Sequence, residues 1–136
     1  YVPADDLSDP AVQMIQHELD STIVLSRKVA EQGIRLAVDL NNTSSSLLTP
    51  DIVGDRHYML SVRVMALLQK YESLKGIIAI IGENELSASD RADYARAKKL
   101  IDNFTQNMNV MTKHNGVPGE FYTREQTLAS IEEIIV

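Results

Sequence analysis

Residues 73–91, with the sequence SLKGIIAIIGENELSASDR, constrain the fold more than any other stretch of the chain. An aliphatic run ends at Gly82, a short acidic and polar segment follows, and Ser87 begins a new helical pattern. Glycine is common just after a helix, and serine is a preferred residue at a helix start. The stretch therefore predicts a helix, a tight exposed loop and a returning helix.

The first of these helices is predicted to begin near Asp55 and to run for some 25 residues. Its apolar residues recur three or four positions apart, as on one face of a helix. They are Leu60, Val64, Leu67, Leu68, Tyr71, Leu74, Ile78 and Ile81. Gly76 lies within this pattern and is expected to kink or divide the helix.

Two further helices are predicted by residues that cap helix starts. Ser87 and Asp90 have the spacing of a capping box, as do Thr123 and Gln126. The inner faces of these two helices are predicted from apolar spacing. They comprise Tyr94, Ala97, Ile101 and Phe104, and then Leu128, Ile131 and Ile135. Residues 105–122 are expected to be irregular, so the larger part of the chain is predicted to be a bundle of three or four helices.

The first 46 residues alternate helical and extended patterns, as at the end of an α/β sheet. Residues 10–19 and 28–32 are predicted to be helical, and Gly33 caps the second of these segments. Residues 21–26 predict a buried strand and residues 34–38 a second extended segment. The polar sequence NNTSSS at 41–46 is interpreted as a linker, which places a domain boundary near Leu47.

Composition excludes several classes of protein. With 136 residues the chain fits one domain, and its net charge of −6 argues against binding to nucleic acid. The absence of cysteine excludes disulfides and thiolate metal sites. No apolar run approaches the roughly 20 residues that span a bilayer. Because the chain begins abruptly with YVPADD and lacks an initial Met, it is expected to come from the interior of a longer protein.

The sequence shows no complete active site. The three histidines are far apart, with His57 expected to be a surface or capping residue, and no phosphate-binding loop or Gly-x-Ser-x-Gly motif occurs. Glu83, Glu85 and Asp90 lie within one loop, whereas a catalytic pair of carboxylates usually faces across a cleft. A solvated loop is therefore the first interpretation, and a docking surface is the second. The residues alone thus indicate a binding or transmission module.

Four long segments nevertheless resemble one family. YVPADDLSDP, HELDSTIVLSR, GIRLAVDLNNTSSSLLTPDIVGDRHY and LLQKYESLKGIIAIIGENELSASD resemble the C-terminal third of the catalytic β subunit of F-type rotary ATP synthases. The resemblance covers the whole chain. It implies a mainly α fold, in which a remnant of an α/β nucleotide-binding domain (residues 1–46) precedes a C-terminal helical domain (residues 47–136).

The resemblance also implies a role for the loop at 84–90. In the family, an acidic loop here contacts the rotating central stalk and couples nucleotide state to rotation. The corresponding residues are Asn84, Glu85, Leu86, Ser87, Ala88, Ser89 and Asp90. Asn84, Ala88 and Ser89 replace acidic residues of the family, so a plain helix–helix turn remains an alternative, although steric pushing needs no particular charge.

At the nucleotide-facing positions the chain departs from the family. Arg35 replaces a Tyr that stacks on adenine in the family. His114 replaces a Phe that lies on the other side of the adenine in the family. Both can stack on a purine, so the pocket is either rebuilt or weakened. Tyr1 corresponds to a Tyr near the catalytic phosphates, with an ordinary aromatic residue at a strand end as the alternative.

The non-catalytic nucleotide site is expected to be weaker than in the family. Tyr58 corresponds to the Tyr that reaches this site, but Ser46 and Val62 replace two arginines. These departures suggest a diverged copy of the rotary ATPase, of the kind carried by some wall-less bacteria such as mycoplasmas.

The resemblance implies a parent enzyme, a proton-translocating ATP synthase or ATP hydrolase that binds ATP or ADP with Mg. The catalytic residues would lie upstream, so this chain alone is expected to bind no cofactor and no metal. Its partners would be the α subunits and the central-stalk γ subunit, with neither nucleic acid binding nor membrane insertion. The complex would lie at the cytoplasmic face of the cell membrane. Alternatives are a structural or motor-adaptor subunit and a free-standing helical interaction domain.

Overall fold

The structure, a computed structural model, describes residues 1–136 and is mainly helical. Its helices are α1 (Pro10–His17), α2 (Arg27–Glu31), α3 (Pro50–Val53), α4 (Asp55–Ile81), α5 (Ala88–Phe104), α6 (Thr112–Asn115) and α7 (Arg124–Ile135). Strands β1 (Ser21–Thr22) and β2 (Ser44–Ser45) pair antiparallel, and short 3₁₀ turns occur at Glu83–Glu85 and Asn109–Met111. The predicted mainly α fold class is confirmed.

The long helix α4 runs through Gly76 without interruption, so the expectation that this glycine divides the helix is wrong. A single glycine costs a helix only about 1 kcal/mol, which tertiary packing along α4 outweighs. The helix is instead bounded by two glycines with positive φ, Gly54 at 86° and Gly82 at 88°. The hairpin predicted from the sequence is therefore one continuous helix, a short loop and the returning helix α5.

The predicted starts of α5 and α7 are confirmed by their caps. The Asp90 amide donates to Ser87 Oγ at 3.1 Å, and Ser87 Oγ donates in turn to the Asp90 carboxylate at 2.8 Å. At α7 the capping box is reciprocal, since Gln126 N donates to Thr123 Oγ1 and Thr123 N donates to Gln126 Oε1. Each cap satisfies amides that a helix start leaves without a partner.

The core lies between α4, α5 and α7. Its buried residues are Leu60, Val64, Leu68, Leu100, Leu128, Ile131 and Ile135. Leu100 and Ala97 on α5 are both 0% exposed, whereas Tyr94, Ile101 and Phe104 are only half-buried. The predicted inner face of α7 is confirmed, but the face of α5 is centred on Leu100, which the sequence prediction missed. The three-helix bundle is confirmed.

The N-terminal segment departs most from prediction. The strand predicted at 21–26 forms only in part, as β1 and as an isolated antiparallel bridge from Leu25 to Val38 in the second predicted extended segment. Its predicted burial is wrong, because Ile23 and Leu25 are each 73% exposed. The linker predicted at 41–46 instead contains β2, whose Ser45 hydroxyl lies 2.6 Å from that of Ser21. Branched residues favour strands mainly where a sheet face covers them, and a two-stranded ribbon offers none. The helices predicted at 10–19 and 28–32 are confirmed as α1 and α2, and Gly33 has φ 78°.

The segment after α5 is less irregular than predicted, since it contains a 3₁₀ turn and α6. Its two ends are joined by hydrogen bonds. Glu120 N donates to the Asn107 carbonyl at 2.9 Å, and Asn107 N donates to the Glu120 carboxylate at 2.8 Å. Residues 107–120 thus form a closed surface loop.

An ion-pair cluster joins the start of α4 to α7. The Arg56 guanidinium donates to both carboxylate oxygens of Glu132, at 2.8 and 2.7 Å, and to Glu125 at 2.8 Å. Arg56 lowers the pKa of the Glu132 carboxyl, chiefly through these hydrogen bonds. Bidentate geometry of this kind is the most favourable for a surface pair.

We expect Arg56→Ala to lower the melting temperature by about 1–4 °C, the range for a well-formed surface pair. Arg63→Ala, which removes an arginine without an ion pair on the same helix, is the matched control and should change it little. Since the Glu132 pKa lies below its ordinary value of 4.5, the stabilisation is present above that pH and is lost as pH falls through the lowered pKa. Thermal melts of both variants across pH 7 to about 3 test this; a pH-independent effect of Arg56→Ala would contradict it.

Candidate functional site

The loop at the tip of the helical hairpin is held in place by its own residues. We call residues 82–90 the tip loop. Arg91 donates through Nη2 to the carbonyl of Asn84 at 3.1 Å and to that of Leu86 at 3.4 Å. Leu86 is buried, and its amide donates to the Glu83 carbonyl at 3.2 Å. The tip loop is therefore anchored at its centre to the start of α5.

The seven predicted contact residues fall into two groups. Five of them are exposed, namely Asn84, Glu85, Ser87, Ala88 and Ser89, although the Ser87 hydroxyl is already bound within the cap of α5. Leu86 and Asp90 instead hold the loop, because Leu86 is buried and Asp90 forms an ion pair with Lys70 at 2.8 Å. Hydrogen bonds from Lys70 and Ser87 lower the pKa of the Asp90 carboxyl. The structure thus assigns an internal role to two of the seven.

An exposed isoleucine patch adjoins the tip loop. Ile80 is 86% exposed, and Ile77 and Ile81 are also exposed. Ile81 belongs to the predicted apolar face of α4 by its spacing, but the structure leaves it 51% exposed. The signal was present in the sequence, since a helix turn that is apolar all round cannot bury every side chain against one neighbour. Exposed apolar patches commonly mark contact surfaces.

The positions predicted to face adenine lie on the surface at two neighbouring segments. The Arg35 carbonyl accepts a hydrogen bond from Gln106 N at 2.9 Å, which places Arg35 beside the base of the loop that carries His114. Both residues are exposed, and neither side chain forms a hydrogen bond or ion pair. Tyr1 is fully exposed at the chain end, and Tyr58 is half-buried on α4. The predicted nucleotide contacts of these residues remain predictions.

The histidine and carboxylate side chains are the remaining candidates for binding groups. No group of three or more His, Asp or Glu side chains is arranged to hold a metal ion. His57, expected at the surface or in a cap, is instead half-buried, with its Nδ1 enclosed and without a hydrogen-bond partner. No helix is both long enough and apolar enough to cross a membrane.

The candidate site is thus a long helical hairpin with an anchored, exposed tip loop, packed on a third helix. A family model, described as the C-terminal domain of V and A type ATP synthase, matches residues 48–116, just over half of the chain. The chain belongs to this family. The resemblance to the C-terminal part of a rotary ATPase subunit is thereby confirmed.

Two solved structures share the fold. One is the ATP synthase subunit NeqB from Nanoarcheaum equitans, with a TM-score of 0.82, 19% identity and coverage of 98% of this chain and 32% of that one. The other is EscN, the ATPase of the enteropathogenic E. coli type III secretion system, with a TM-score of 0.77, 21% identity and coverage of 99% and 30%. The chain thus spans about a third of the length of each.

Proposed function

We propose that the chain is the C-terminal part of the catalytic β subunit of an F-type rotary ATPase, and that its tip loop contacts the rotating central stalk. The family model that matches describes the V and A type and does not itself support the F type. The F-type assignment is supported by the sequence segments that resemble the F-type β subunit. The single observation that carries the stalk contact is the tip loop, anchored from within and exposed at the end of a long hairpin.

The hairpin suits the transmission of movement over distance. The 27 residues of α4 correspond to a rod roughly 40 Å long. Packing of Leu100 and Ala97 against the bundle stiffens the paired helices, so that a rotation near one end moves the tip loop as a rigid body. Since Leu86 and Arg91 fix the loop, its exposed side chains would push on a partner without first becoming ordered.

In this proposal the parent enzyme binds ATP or ADP with Mg and couples ATP synthesis or hydrolysis to rotation and proton movement. Arg35 and His114 would flank the adenine, with Tyr1 nearby, and Tyr58 would reach the second nucleotide site. Mg ligands would come from other parts of the protein, because no group of three or more His, Asp or Glu side chains in this chain could hold a metal ion. The α subunits and the γ stalk would be its partners, at the cytoplasmic face of the membrane.

A second candidate is a β-like structural or motor-adaptor subunit with weakened nucleotide binding. It is favoured by one specific observation. The side chains of Arg35 and His114, which replace the family's aromatic residues, make no hydrogen bond that would fix them against a base. Such a subunit would retain the stalk contact and lose most of the affinity for ATP.

Site-specific cross-linking tests the stalk contact. The chain has no cysteine, so Ala88→Cys places a single thiol on the tip loop, and Val117→Cys places one on the exposed loop 107–120 as a control. Each thiol is labelled with benzophenone maleimide in the intact complex and irradiated, and the products are identified by mass spectrometry. We expect Ala88→Cys to join this chain to the central-stalk subunit and Val117→Cys not to do so. Equal yields, or a different partner for Ala88→Cys, would contradict the proposal.

A further inference from the structure

A cavity of about 790 Å³ lies between the N-terminal segment and the helical bundle. Residues 29–41 form one wall, α4 and α5 form the floor, and residues 120–130 close the far side. This volume is within the roughly 300–1,000 Å³ that is typical of small-molecule sites. The cavity therefore has room for an organic molecule of ordinary size.

The cavity is separate from the positions that the resemblance assigns to adenine. Ile34 and Leu36 line it, but Arg35 between them does not, and neither does His114. Its floor carries Leu68 and Tyr71 of α4. A ligand here would thus leave the proposed adenine contacts untouched.

The lining combines aromatic rings with carboxylates and has no basic group. Its rings are Tyr71, Phe104, Phe121 and Tyr122. Its ionisable acids are Asp39, Glu72 and Glu120, and no Lys, Arg or His lines the cavity. Phosphates and carboxylates would be repelled here, whereas cations are attracted both to carboxylates and to the faces of aromatic rings.

The three acids differ in how many hydrogen bonds and ion pairs their carboxylates already make. Glu120 already accepts hydrogen bonds from Asn107 N at 2.8 Å and from the Tyr122 hydroxyl at 3.1 Å, which hold it as an anion at the rim. Glu72 makes only one long contact, to Lys75 at 4.0 Å, so its charge is the least satisfied of the three. The Lys75 ammonium also lies 5.8 Å from the centre of the Tyr71 ring, so a cation bound between Glu72 and Phe121 would take the place of Lys75 beside Glu72. Phe121 is largely exposed, which leaves its ring face open to a ligand.

We propose that this cavity binds a flat aromatic cation, such as a nitrogen heterocycle protonated on its ring, between the ring of Phe121 and the carboxylate of Glu72. Bound in this place, the ligand would contact residues 29–41 and the bundle at once and would hold the two together. The chain's overall negative charge adds to the attraction for a cation.

Two fluorescent dyes of similar size test the proposal on the intact native protein. Proflavine is a flat aromatic cation at neutral pH, and 8-anilinonaphthalene-1-sulfonate is an aromatic anion. Titrations followed by fluorescence anisotropy should show saturable one-to-one binding of proflavine and at least about tenfold weaker binding of the anion. Proflavine should also raise the melting temperature.

Matched variants locate the binding. Phe121→Ala and Glu72→Gln should each weaken proflavine binding by about three- to tenfold. Glu83→Gln removes an exposed carboxylate outside the cavity and should leave this binding unchanged. Equal losses in Glu72→Gln and Glu83→Gln would show general attraction to an acidic surface and would overturn the proposal, as would equal binding of the two dyes. Because neither result depends on the stalk or on ATP, this test is independent of the proposed function.

Discussion

Replacing Leu100 by alanine is expected to lower the free energy of unfolding by about 3–5 kcal/mol, the upper part of the range for a buried leucine. Leu100 is 0% exposed and belongs to the cluster that α4, α5 and α7 share. Its removal takes contacts from all three helices at once. The packing around it is fixed by helices on every side, so the cavity left behind can collapse only partly.

Urea unfolding followed by far-UV circular dichroism measures this effect. Leu25→Ala is the matched control, because Leu25 is 73% exposed and the same truncation there should change stability by no more than about 0.5 kcal/mol. Leu100→Met keeps the volume and should cost less than about 1.5 kcal/mol. It also provides a measurable variant if Leu100→Ala does not fold.

Similar losses for Leu100→Ala and Leu25→Ala would contradict the bundle as described. They would mean that the N-terminal segment contributes as much packing as the three helices do. The structure leads us to expect the opposite, since the chain's buried residues lie in the helical part and α1 has none.

The sequence predicted the helical part well, because its signals are local. Apolar spacing placed α4, and caps at Ser87 and Thr123 placed the starts of α5 and α7 within a residue. Caps act through hydrogen bonds between residues two or three apart, so they operate wherever the sequence places them. The continuity of α4 through Gly76 was missed, because it depends on packing against α5 and α7.

The N-terminal segment was predicted less well, because strands depend on neighbours that are distant in sequence. The β-branched run at 21–26 has the composition of a buried strand, yet its regular pairing is limited to Ser21–Thr22, which pairs with serines assigned to a linker. Beyond these residues, only an isolated bridge joins Leu25 to Val38. Pattern alone cannot identify a partner that is 24 residues away.

The position of the tip loop was predicted. Which of its residues are exposed and which hold the loop in place was not. The sequence does not indicate the ion pair between Asp90 and Lys70, because Lys70 lies on α4 and Asp90 on α5. The pair forms only when the two helices pack together. The adenine-facing role of Arg35 and His114 remains a prediction from resemblance. A backbone hydrogen bond from Gln106 N to the Arg35 carbonyl joins their segments.

Gly82 and Gly76 should respond to alanine in opposite directions, although they are six positions apart on the same hairpin. Gly82 joins α4 to the tip loop with φ 88° and ψ 157°, a region that is essentially restricted to glycine. Gly82→Ala is expected to cost about 1–3 kcal/mol of stability. Gly76 lies in the helix interior, and a Cβ there would meet nothing within 4 Å. Gly76→Ala should therefore raise stability by about 0.5–1 kcal/mol.

Urea unfolding of both variants measures whether each substitution lowers or raises the stability. The cross-linking assay measures the effect of each substitution on the contact made by the tip loop. Gly82→Ala can relieve its strain only by changing the backbone that leads into residues 83–86, so the exit direction of the tip loop should change. Combined with Ala88→Cys, it should lower the cross-linking yield, whereas Gly76→Ala should leave the yield unchanged. If Gly82→Ala were as stable as the parent, the positive φ at this junction would be incorrect. If it were destabilised but cross-linked normally, the loop would be held by Leu86 and Arg91 alone, and the glycine would serve only to end α4.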